Sequence, residues 1–159
     1  TQAILTEAQT AGADTYPSLQ GVSCVFCSGA NSYFDQVYNL LWLIGALEVA
    51  GFNYLAQAST KIPQTESGMD GLKGAYRTVL EQAVTNQYSA PGSWTSPTVF
   101  GVPADLISNI AARGYYIYST PISQQLQADR AARKAPLVQI ALKEAGAIQS
   151  SNVVVNINA

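Results

Sequence analysis

The sequence predicts an α+β domain in which a small mixed sheet is packed by two long helices. Apolar residues recur at three- and four-residue steps over 33–58 and again over 66–87, the spacing that puts them on one face of a helix. Short runs at 22–27, 115–118, 137–144 and 152–158 are β-branched, aromatic or alternating, and supply the strands. Clusters of Pro, Gly and Ser separate the two kinds of segment. At 159 residues the chain has the size of one domain with one substantial core, so a single domain over 1–159 is expected.

Residues 1–11, TQAILTEAQTA, start directly in helical spacing with Ile4, Leu5 and Ala8. Thr1 stands where a Met would open a complete chain, and no basic stretch precedes an apolar one, so the expectation is a piece of a longer protein without a secretory leader. GADTYPSLQG is turn chemistry, and VSCVFC at 22–27 reads as a strand. Asn31 or Ser32 offers a cap for the first long helix, with Asp35 beside its positive end. Phe34, Val37, Leu41, Ile44 and Leu47 form its stripe, which Leu40, Trp42 and Leu43 widen until it is apolar nearly all round. Such a helix is expected at the centre of the fold. Its apolar run LLWLIGAL, 40–47, ends at Glu48, far below the roughly 20 residues of a membrane span.

Pro63 turns the connector KIPQT and Thr65 is placed to cap the next helix. In that helix Met69, Leu72, Tyr76, Val79, Leu80 and Ala83 share a face, while Lys73, Arg77 and Glu81 lie opposite. Gly68, Gly71 and Gly74 each cost about 1 kcal/mol relative to Ala, so either another backbone comes close there or the helix start is frayed. Trp94 and Phe100 anchor the loop 89–103, Pro103 suits a first helical position, and Gly114 marks the stop. YYIY at 115–118 is a strand, Ser123 caps a short polar helix, and Pro136 ends it. Val138, Ile140 and Leu142 alternate against Gln139, Ala141 and Lys143 in a strand at 137–144. In the closing SSNVVVNINA, Val153, Val155 and Ile157 share one face and Val154 lies on the other. A strand that closes a chain needs a neighbour for its main-chain groups, either 137–144 of this chain or another copy.

Charged residues make up only 11% of the chain against 48% hydrophobic ones, where about 25% charged is usual. So few charges point to surface covered by other subunits, and a net charge of −2 leaves no footprint for nucleic acid. Histidine is absent, which removes the commonest general base and every Ser-His-Asp or Cys-His arrangement. The carboxylates are scattered, without metal-ligand spacing, and GMDGLKGAY fits no phosphate loop. Cys24 and Cys27 form a C-x-x-C that lacks the two further ligands zinc needs. In an extended run they lie about 10 Å apart, too far for a disulfide, so small apolar residues are expected, with a thiol-redox pair as the alternative. Two cysteines without a framework fit a reducing compartment. Arg130, Arg133 and Lys134 gather three of the eight cations. They are either a solvated helix face, with Asp129 pairing to Arg133, or an inter-subunit ion patch.

Several stretches carry a resemblance: DQVYNLLWLIGALEVAGFNYLA, KIPQTESGM, LKGAYRTVLEQAVTNQY, GSWTSP, GYYIYSTPISQQ, ADRAARKAPLVQIALKEAGAI and NVVVNINA. Over roughly 30–159 they resemble, in order, the C-terminal part of the sheath-like tail proteins of contractile-tailed bacteriophages. The resemblance implies a virion tail sheath subunit without cofactor, metal or enzymatic activity. Its implied partners are other sheath subunits and the tail tube protein, with neither nucleic acid nor membrane, and its place is the virion tail after assembly in the host cytoplasm. It further implies terminal arms that complete sheets of adjacent subunits, a role for Val153, Val154, Val155 and Ile157, with Arg130, Arg133 and Lys134 as lattice charges. A noncontractile virion component, such as a tube or baseplate protein, is the rival within the same setting.

Overall fold

The computed structural model describes residues 2–19, 21–26, 28, 33–148, 151, 153 and 154. The chain forms two compact units, 1–46 and 47–159. In the first, helix α1 (Gln2–Thr10) is followed by strands β1 (Ser18–Leu19) and β2 (Val22–Ser23), paired antiparallel. Gly21 at φ +82° takes the left-handed conformation their tight turn requires. A bridge from Thr15 to Phe26 extends the pairing, and Asp14 Oδ1 accepts the Ser28 N–H at 2.7 Å. Helix α2 (Phe34–Ala56) begins with Asp35 in its first turn and runs across the division between the units. Its expected caps, Asn31 and Ser32, lie outside the described residues.

In the second unit, α3 (Glu66–Thr85) starts where Thr65 was expected to cap it, with Thr65 Oγ1 accepting the Gly68 N–H at 3.3 Å. Met69, Leu72, Val79, Leu80 and Ala83 are buried on one face. Two tyrosines lie over glycines. A Cβ on Gly51 would sit 2.7 Å from the Tyr76 hydroxyl, and one on Gly71 would overlap the Tyr54 hydroxyl. At Gly68 the close neighbour is backbone, the Pro63 carbonyl, whereas Gly74 faces open space. Of the expected backbone approaches at Gly68, Gly71 and Gly74, the one at Gly68 is met; at Gly71 the close neighbour is the Tyr54 side chain, and Gly74 meets neither.

Helix α4 (Pro103–Arg113) has proline in its first turn and stops at Gly114 in the left-handed conformation, φ +83°. Strand β3 (Tyr115–Ser119) follows, then a 3₁₀ turn (Ile122–Gln124), α5 (Gln127–Ala131) and β4 (Val138–Leu142). β3 and β4 pair antiparallel from Tyr115–Leu142 to Ser119–Val138. One face of this ribbon, with Tyr116 and Ala141, packs on Leu106 and Ile110 of α4. Val138, on the opposite face, packs with Met69, Leu72 and Ile122. The ribbon is thus the middle layer between α4 and α3. Ser89, also buried, donates its hydroxyl to the Gly114 carbonyl at 3.1 Å, just past the end of the helix.

The α+β class and both long helices match expectation; four details do not. The strands form two separate antiparallel pairs rather than one four-stranded sheet, because 22–23 finds its partner in 18–19. Residues 153 and 154 form no strand and pair with no described residue, the rest of the expected strand 152–158 lies outside the described residues, and β4 has β3 as a neighbour. Ser123 caps nothing: the Glu66 carboxylate takes the Ile122 N–H at 2.7 Å and fixes a turn there, so α5 begins after Leu126 without a side-chain cap. Lastly, α2 is not central. Only Leu43 and Gly51 along its length are buried, while Phe34, Leu41, Phe52 and Leu55 are exposed. As a whole the helix, at 23 residues, is long and apolar enough to cross a bilayer by length and composition, which the eight-residue run had concealed.

Candidate functional site

Among the described residues no group of three or more His, Cys, Asp or Glu side chains stands close enough to hold a metal ion. Cys24 is a half-buried free thiol whose Sγ lies 3.9 Å from the Pro17 carbonyl, and Cys27 lies outside the described residues. Burial first, then the Glu81 carboxylate, pushes the Tyr115 phenol above its ordinary 10.0; the two share a 3.3 Å hydrogen bond in which the phenol donates. Burial and Glu144 raise Tyr88 likewise. Both shifts favour the neutral phenol, and in Tyr115 that phenol serves as a hydrogen-bond donor.

What distinguishes the molecule is surface. The first element is the outer edge of the β3–β4 ribbon. Lys143 donates its N–H to the Gly114 carbonyl at 2.7 Å, which sets the phase of the ladder. Tyr116–Ala141 and Tyr118–Gln139 are then the hydrogen-bonded pairs, and the main-chain groups of Val138, Ile140 and Leu142 point away from β3. None of those groups has a main-chain partner among the described residues. Among the described residues these three therefore form an unpaired edge, the kind that accepts another strand. Val153 and Val154, named from the sequence as interface residues, are 81% and 83% exposed, whereas Val155 and Ile157 lie outside the described residues.

The second element is the connector after α5. Arg130, Arg133 and Lys134 are all exposed, as the sequence suggests for an ion patch. The expected Asp129–Arg133 pair is replaced by Asp129–Lys134 at 3.5 Å, because α5 ends at Ala131 and Arg133 turns to φ +56°. Two glutamine amides, Gln64 Nε2 at 3.3 Å and Gln125 Nε2 at 2.8 Å, donate to the Lys134 carbonyl and hold this connector from both sides. A cavity of about 90 Å³ lies on one side of it, lined by Ile62, Met69, Leu72 and Ile122. Sequence reasoning found the cations but neither the glutamines nor the bare edge of β4. The edge is announced only by the apolar alternation 138, 140, 142, which any half-buried strand shares.

An α+β sandwich whose notable features are a bare strand edge, an exposed apolar helix and a braced cationic connector defines a structural, surface-acting class of protein. The family follows from the sequence match. Residues 34–157 match the E217 tail sheath protein gp31-like C-terminal domain, and the chain belongs to that family. No curated protein matches it. Its role is accordingly that of a structural component of a phage tail sheath, part of the virion tail.

Proposed function

We propose that the chain is the C-terminal part of a contractile tail sheath subunit, which joins its neighbours in a helical lattice by strand exchange. Residues 152–158 of one copy add to the outer edge of β4 in the next. The observation that carries this reading is the coincidence of a bare apolar edge on β4 with Val153 and Val154 exposed and unpaired among the described residues. In such an addition main-chain hydrogen bonds supply affinity, and alternate side chains, here Val153, Val155 and Ile157, supply fit. Arg130, Arg133 and Lys134 act as lattice charges, weak singly and effective when many copies repeat them. Weak repeated contacts joined by an exchanged strand let subunits slide while staying connected as the tail shortens.

The partners in this reading are sheath subunits outside and the tail tube protein inside, after assembly in the host cytoplasm. Neither nucleic acid, membrane nor catalysis enters it, and the exposed face of α2 is covered by protein. Deleting 152–159 tests the proposal: the truncated chain should stay dispersed in sedimentation under conditions that assemble the intact one. Unchanged assembly would remove strand exchange from the account.

A further inference from the structure

Charge is divided unevenly along the chain. Residues 1–46 carry Glu7, Asp14 and Asp35 and not one Lys or Arg, so all eight cations fall in 47–159. The one stretch of sequence where three cations gather is the end of α5 and the connector after it, and there the surface is shaped as well as charged. A second depression, about 250 Å³, lies across Lys134, Ala135 and Pro136 from the apolar cavity, so the connector forms the ridge of a saddle. Leu126 and Leu137 line this second hollow and are 72% and 73% exposed.

Gln125 lines it too. Its amide nitrogen is committed to the Lys134 carbonyl, and its Oε1 is buried without a hydrogen-bond partner among the described residues. Turning the amide over would bring oxygen against the Lys134 carbonyl, so the orphan atom is the acceptor. Arg130 and Arg133 form no ion pair with any described residue. Asp129 also lines this hollow and pairs with Lys134, which leaves Arg130 and Arg133 as the uncompensated charges, so the saddle asks for an occupant with apolar side chains and negative charge.

We propose that this saddle seats the cation-free unit, residues 1–46, of a second copy of the chain. That unit offers exposed Ile4 and Tyr16 together with the carboxylates Glu7, Asp14 and Asp35. Having no cation, it meets no like-charge repulsion from Arg130, Arg133 or Lys134. The proposal rests on the self-assembly reading above, but uses a contact separate from the β4 edge.

Zero-length carbodiimide coupling of carboxylate to amine tests it on the full chain. Equal amounts of ordinary and ¹⁵N-labelled protein are assembled, coupled and digested, and links from Lys134 are read by mass spectrometry. The expected result is Lys134 joined to Glu7, Asp14 or Asp35 in peptides that mix the two isotopes. The double variant Arg130→Glu, Arg133→Glu should lower that yield by about tenfold, the effect of two modest ion pairs, while Lys61 and Lys73 links stay unchanged. Assembled protein whose Lys134 links are absent, or join only peptides of like isotope, overturns this seat and leaves strand exchange standing. Protein that never assembles overturns both.

Discussion

Helices α2 and α3 run in opposite orders of apolarity and burial. α2 is apolar nearly all round, yet among its 23 residues only Leu43 and Gly51 are buried. α3 carries Lys73, Arg77 and Glu81 on one side and buries six residues on the other. A hydrophobic stripe states that a surface is to be covered; what covers it depends on the other elements supplied. α3 is offered a ribbon and the Ile122 turn within its own unit. α2 leaves most of its stripe uncovered among the described residues.

The sharpest way to break this comparison is to truncate one residue on each helix. Leu80→Ala removes a fully buried side chain and should cost about 2–5 kcal/mol in urea unfolding of the dispersed chain. Leu41→Ser or Phe52→Ser, at positions 65% and 69% exposed, should stay within about 0.5 kcal/mol in the same measurement and yet weaken assembly. If the serine variants unfold the dispersed chain, α2 is a core helix after all.

The glycines of α3 refine the contrast. Gly68→Ala drives a Cβ onto the Pro63 carbonyl and should destabilise by about 1–3 kcal/mol, whereas Gly74→Ala meets nothing and should gain up to about 1 kcal/mol from helix propensity. Thermal melts of the two variants should move in opposite directions. Thr65→Ala, which strips the cap from the same helix, should cost about 1 kcal/mol.

The smallest effect is in pH. Because the folded Tyr115 phenol titrates above its ordinary 10.0, folding holds that proton more tightly than the unfolded chain does. Its contribution is therefore complete below pH 10 and is lost as pH rises through the folded value. Tyr115→Phe should flatten this part of the alkaline decline, leaving the part due to Tyr88.

Signals that act within a few residues were legible in the sequence. Thr65 caps α3, Pro103 opens α4, Gly114 stops it, 115–118 covers all of β3 but its last residue, and 137–144 contains β4. Pairing was not legible, because period two fixes which side chains share a face and says nothing of the partner strand. VSCVFC was read as part of the main sheet, although its neighbour is four residues upstream. Likewise the cations at 130, 133 and 134 stand together in the chain, but the glutamine that braces them from one side is 70 residues away. The braced connector is a tertiary fact built from two unremarkable polar residues.

The central claim is that neighbouring copies complete this molecule at the outer edge of β4. Amide hydrogen exchange at Ile140 and Leu142, compared between dispersed and assembled chain, tests it most directly. Strand addition predicts fast exchange in the dispersed chain and at least about tenfold slowing on assembly, lost when 152–159 are removed. Equal exchange in the two states, in protein shown to be assembled, would contradict it.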